Sequence, residues 1–164
     1  APRLADRFSR ADRESLLAAG CATFMDSTSA TAIERAVTTY IKNSYGATDN
    51  SYQDAETLHT LGYVILFLRT RITSKFGRHK LANDGTTFGE GQAVVTPAIA
   101  RSELIAAYSE LETAGLVENM ELFKENLIVE RNATDPNRLD VLFPPDLINQ
   151  LRVFATLVQF RLQY

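Results

Sequence analysis

The sequence predicts an α+β fold, two main helices packed on a mixed or antiparallel sheet with a β-rich C-terminal end, and three observations carry that prediction. Apolar residues recur at helical spacing in residues 54–76 and again in 97–114, each run opened by a capping signal. Short β-prone runs flank turn-forming residues twice, at 21–40 and at 127–143. Apolar alternation then returns in 151–162, close to the C-terminus.

Residues 12–19 read as a short helix, because Ser9 can cap free amides and Gly20 can supply a left-handed stop. The runs 21–25 and 32–40 lie on either side of Asp26-Ser27-Thr28-Ser29, whose side chains favour turns, so they read as a β-hairpin. Residues 43–53 (NSYGATDNSYQ) are polar and turn-rich and read as a loop, with Tyr45 and Tyr52 available to pack it down. Asp54 then opens a long helix to about Phe76. Leu58, Leu61, Ile65, Leu68 and Ile72 are spaced by three and four, forming one apolar stripe and a central core element. Arg69, Arg71 and Lys75 gather in the last turns, where cations offset the negative end of the helix dipole by about 0.3–1 kcal/mol each.

Residues 77–91 read as a loop, with a turn signal at Asn83-Asp84-Gly85 and Gly89 and Gly91 ahead of a short apolar run at 93–95. Thr96-Pro97 is a helix start, since a hydroxyl caps amides and proline at the first position forfeits no needed donor. That helix should run to Ala114 and stop at Gly115, with Ile99, Leu104, Ala107, Tyr108 and Leu111 facing inward, and a shorter turn follows at 120–124. Runs 127–131 and 138–143 flank a proline-bearing turn and predict a second hairpin, after which Pro144-Pro145 forbids a continued ladder. Leu151, Val153, Ala155 and Leu157 alternate in one phase and Val158, Phe160 and Leu162 in the other, which predicts a strand with a bulge near Leu157.

Composition bounds function more loosely. A chain of 164 residues, 45% hydrophobic and 23% charged, has the size and balance of one globular domain. Net charge −3 gives no global attraction to a polyanion. Cys21 is the single cysteine, so an internal disulfide and a cysteine-based zinc cage are excluded; a buried small apolar role is expected. Residues 1–13 are mixed and charged, unlike a secretory signal. The apolar run 61–68 (LGYVILFL) is far short of the roughly 20 residues a bilayer span needs.

Catalytic and metal constellations do not emerge. His59 and His79 have no spacing that supports a zinc site, no serine sits in a nucleophile elbow, and Gly89-Glu90-Gly91 lacks the rest of a phosphate loop. Glu103, Glu110 and Glu112 read as the solvated face of their helix, and Asn132-Ala133-Thr134 is a bare glycosylation match. No enzyme activity and no cofactor are expected.

Two features remain. The cationic stretch Arg69, Arg71, Lys75, Arg78, His79, Lys80 reads as helix-end compensation, as a protein interface, or as a small nucleic-acid-binding module; the last would need aromatics beyond Phe76. The terminal apolar strand carries neither proline nor charge between Val153 and Phe160, the devices that blunt natural edges. It is therefore either an inner strand of this domain or a strand added to another copy.

The strings RTRITSKFGRHKLANDGTTFGEGQAVV (69–95) and VERNATDPNRLDVLFPPDLINQLRV (129–153), with Ala32-Ile33-Glu34-Arg35 and Thr38-Thr39-Tyr40 upstream, resemble the C-terminal region of contractile-tail sheath proteins, those of Mu-like phages and prophages. The resemblance covers most of the chain. It implies that residues 1–164 form a single-domain C-terminal fragment of a longer sheath subunit, consistent with a start at Ala1-Pro2-Arg3, with about 150–164 as a C-terminal arm. It further implies a structural protein that polymerises helically around a tail tube and contracts to drive the tube through the host envelope. The expected partners are other copies of the chain, the tube protein, and baseplate and tail terminator proteins, with no nucleic acid and no membrane. The expected location is the virion tail, with assembly in the host cytoplasm. Arg71, Lys75, Arg78 and Lys80 are then candidates for a tube or inter-subunit face, and Val158, Phe160 and Leu162 for an inter-subunit strand.

Overall fold

A computed structural model describes residues 3, 6–26 and 30–159 and divides into two compact units, 1–96 and 97–164. The α+β class holds. Among the described residues there are four helices and three two-stranded sheets, two antiparallel and one parallel.

In the first unit, α1 spans Arg10–Ala18. The Ser9 hydroxyl accepts from the Asp12 amide, and the Asp12 carboxylate accepts from the Ser9 amide, a reciprocal capping box that starts the helix earlier than hydrophobic spacing indicates. Gly20 ends it with φ +79, and a Cβ there would stand 2.9 Å from the Thr38 carbonyl oxygen, so no side chain is tolerated. Strands β1 (Thr23–Asp26) and β2 (Thr31–Arg35) form the expected hairpin in antiparallel register, Phe24 opposite Ile33. Arg13 of α1 reaches across to Glu34 of β2 at 2.7 Å, and Thr23 donates to the same carboxylate at 2.9 Å.

Strand β2 is shorter than predicted because the chain changes partner after Arg35. Ala36 and Thr38 bond to Ala55 and Gln53, and Val37 bridges to Asp54. Arg35 holds the Asp54 carboxylate bidentately, at 2.8 and 3.0 Å. In the loop, Tyr52 does pack, edge-on to Tyr40 at 5.4 Å, whereas Tyr45 is exposed.

Helix α2 (Ala55–Phe76) starts at Asp54 as predicted, yet that side chain caps no amide, since both of its oxygens serve Arg35. Its apolar stripe is turned relative to expectation. Val64 is the buried residue, Leu61, Leu68 and Ile72 are half-buried, and Leu58 and Ile65 are exposed. The middle of this helix, residues 61–68, is apolar on every side, which gives spacing no means of choosing its inner face. Residues 80–81, predicted as loop, form β3 (Lys80–Leu81), parallel to β4 (Val94–Val95). Cys21 is exposed, contrary to the buried role expected of it.

In the second unit, α3 (Pro97–Thr113) buries Ala100, Leu104, Ala107, Tyr108 and Leu111, while Ile99 lies on the outer side and Glu103, expected on the solvated face, is buried. Its end follows the glycine signal. Gly115 takes φ +71, its amide reaches Glu112, and the Leu116 amide reaches back to Leu111 at 3.0 Å, which satisfies the last carbonyls. Helix α4 (Met120–Asn126) begins at Asn119, which adopts the left-handed conformation at φ 60. Strands β5 (Ile128–Arg131) and β6 (Leu139–Leu142) pair antiparallel, Ile128 opposite Leu142, about a turn closed by the Asn132 side chain.

Helix α3 packs on α4 and β5, and the centre is aromatic. The Tyr108 and Phe123 rings stack at 3.8 Å, and Phe143 meets Phe123 edge-on at 4.8 Å. Arg101 donates to the Lys124 and Leu127 carbonyls, tying the end of α4 to α3. No helix among the described residues is long and apolar enough to cross a membrane.

Candidate functional site

The two candidate surfaces come from opposite ends of the local hierarchy, one a helix end and one a segment without secondary structure. At the first, Arg71 and Lys75 are one turn apart on α2, Arg78 follows the helix, and Lys80 lies in β3. The Arg71 guanidinium sits 5.9 Å over the Phe67 ring and the Lys75 ammonium 5.8 Å over the Phe76 ring, and Phe76 meets His79 edge-on at 5.4 Å. Two of the four predicted cations thus lie against aromatic faces, an attraction worth roughly 0.5–1 kcal/mol each at such sites. Arg78 and Lys80 are exposed.

The second surface is the segment 149–159. Its residues belong to no helix, strand or bridge, so the described part of the predicted terminal strand is not formed within this chain. Leu151, Val153, Phe154, Leu157 and Val158 are between 78% and 85% exposed. Of the predicted strand residues, Val158 belongs to this exposed run, and Phe160 and Leu162 lie outside the described residues. Five large apolar side chains in nine residues leave unburied what burial would stabilise by roughly 1.5–3 kcal/mol each.

The segment departs from a fixed root. Beyond Pro144-Pro145, Leu147 forms an antiparallel bridge with the buried Val117, the Glu118 amide donates to the Asp146 carbonyl at 2.9 Å, and the Ile148 amide donates to Leu116 at 3.2 Å. The Tyr108 hydroxyl donates to the Glu118 carbonyl and accepts from the Asp146 amide at 3.3 Å, and burial pushes its pKa up. Asn119 donates from Nδ2 to the Asp146 carboxylate at 2.6 Å. Periodicity reveals Tyr108 as an inward residue, but not that its oxygen reaches a segment 38 positions further on. The one sequence signal for that root is the polar pair Asn119 and Asp146, each beside a helix start or a proline pair.

Carboxylates elsewhere serve structure. The Arg13 guanidinium holds Glu34 below the ordinary carboxylate range, and Asn132 and Arg138 do the same for Asp140. Among the described residues no three metal-ligating side chains gather.

A family model described as the phage tail sheath C-terminal domain matches residues 47–161. The Mu-like prophage FluMu tail sheath protein of Haemophilus influenzae is 48% identical over 160 residues, covering 97% of this chain and 33% of that protein. The chain therefore spans about a third of the length of the curated relative it matches.

Proposed function

The chain belongs to the phage tail sheath family through that family's C-terminal domain, and on that premise we propose that it is the C-terminal region of a contractile-tail sheath subunit. In this reading the subunit polymerises helically around a tail tube in an extended state and contracts to drive the tube through the host envelope. Its partners are other copies of itself, the tube protein, and baseplate and terminator proteins, and its place is the virion tail after assembly in the host cytoplasm.

The single observation that carries the proposal is the exposed apolar arm at 151–159, leaving a root tied into the second unit. A β-prone segment that joins no sheet of its own chain reaches its free-energy minimum by adding to a sheet of a neighbouring subunit, where backbone hydrogen bonds and apolar pockets are satisfied together. Arms of that kind link subunits while letting the lattice rearrange. Arg71, Lys75, Arg78 and Lys80 form a cationic face for the tube or an adjacent subunit, and rim charges suit a contact that must release because they act more on association and specificity than on permanent affinity.

Electron microscopy of the intact polypeptide lacking residues 158–164 tests the linkage. Loss of tubular polymers, with monomers still folded, is the expected result; normal tubes that contract would overturn it. Reversing Arg78 and Lys80 to Glu should weaken assembly on tubes, and unchanged assembly would remove those two residues from the interface.

A further inference from the structure

We propose that Tyr108 is a positioning residue that sets where the C-terminal arm leaves the domain, its hydroxyl standing in for a rung of the ladder that anchors the arm's root. The inference rests on the linking role proposed for the arm and adds the element that aims it.

Residues 118 and 146 face each other as an antiparallel pair would, but they exchange only one direct bond, from the Glu118 amide to the Asp146 carbonyl. The reciprocal bond is relayed. The Asp146 amide donates to the Tyr108 oxygen, which in turn donates to the Glu118 carbonyl. One hydroxyl thereby satisfies a donor and an acceptor that the pair leaves over. Its ring is fully buried and stacked on Phe123, so the oxygen is held from the middle of α3 by the aromatic core. Asn119 adds an outer tie to the Asp146 carboxylate, and the Ile148 amide closes on Leu116.

This arrangement relocates the hinge. Pro144-Pro145 would be the natural swivel, since prolines interrupt a ladder. Here the chain is held on both sides of them, by Phe143 against Phe123 and by the ladder at 146–148. The ladder therefore ends at Ile148, the arm departs from Asn149, and load on the arm passes through Tyr108 into α3 rather than being taken up at the prolines.

The test uses the intact polypeptide with Tyr108→Phe and, separately, Asn119→Gly. The second variant removes an exposed side chain at a left-handed position that glycine accepts, so it carries the test if the first does not fold. Amide hydrogen exchange at Asp146 and Ile148 should quicken roughly five- to tenfold in either variant. The concentration needed for self-assembly should rise several-fold while circular dichroism remains native. Unchanged exchange at 146–148, or faster exchange with unchanged assembly, would overturn the positioning role. Removal of residues 149–164 separates the two ideas. If that deletion assembles normally, the arm reading itself fails; if it cannot assemble while both point variants can, only the role of Tyr108 fails.

Discussion

Replacing Val153 and Leu157 together by Ser separates a surface that serves the single chain from one that serves an assembly. Both lie in the same phase of the arm as Leu151 and Ala155, each two residues from Ala155, so a strand would present them on one face. In the isolated chain they are 78% and 84% exposed, so the double substitution should move the unfolding free energy by no more than about 0.5 kcal/mol. If a neighbouring subunit buries them, each forfeits roughly 1.5–3 kcal/mol of burial, about 3–6 kcal/mol for the pair. At about 1.4 kcal/mol per factor of ten, the critical concentration for polymerisation rises by roughly two to four orders of magnitude. Sedimentation across a concentration series measures that value, and thermal unfolding of the unassembled protein supplies the control. An unchanged critical concentration would refute the arm as an inter-subunit strand. A fall of several degrees in the monomer's Tm would refute it differently, by placing these side chains inside the fold.

Three further outcomes follow from the packing and the charges. Phe123→Ala removes a buried ring stacked on Tyr108 and edged by Phe143, and should cost about 3–5 kcal/mol in denaturant unfolding of the second unit; a loss below 1 kcal/mol would show that this cluster is not its core. Arg35→Gln breaks the bidentate pair that fixes the start of α2, and a double-mutant cycle with Asp54→Asn should give a coupling of about 1 kcal/mol, modest because both side chains are partly exposed; zero coupling would make the pair incidental. Glu34, held by Arg13, and Asp140, held by Asn132 and Arg138, have folded pKa values below those of free carboxylates, so each contributes stability that is complete above its unfolded value and is lost as pH falls through the lower folded value. Stability should therefore be level above about pH 5 and decline below about pH 4.5, and a Glu34→Gln variant should decline less steeply; identical acid limbs would contradict the assignment.

Local chemistry made most elements legible. The capping serine at position 9, the Thr-Pro start of α3, its Gly115 stop and the two hairpins are settled by groups within a few residues of one another, and short-range geometry is what sequence spacing encodes. The misses in strand bounds and helix facing are long-range. Strand β2 ends early because Arg35 finds Asp54, 19 residues away, and β3 exists only because residues 94–95 come alongside it. Leu58, Ile65 and Ile99 face outward because a helix apolar on several sides is oriented by what packs on it, not by its own pattern.

The same division runs through the functional surfaces. From the order of residues alone come the α+β class, the absence of a catalytic or metal-binding spacing, the family membership, and a terminal segment whose β-prone apolar pattern calls for a partner. Only the tertiary structure decides that residues 151–159 enter no helix, strand or bridge, and that their root is held through the Tyr108 oxygen. A sequence specifies the hydrogen-bonding demand of each group through its chemistry. Which distant group meets that demand depends on three-dimensional closure, and a tyrosine 38 residues from its partner leaves no periodic trace.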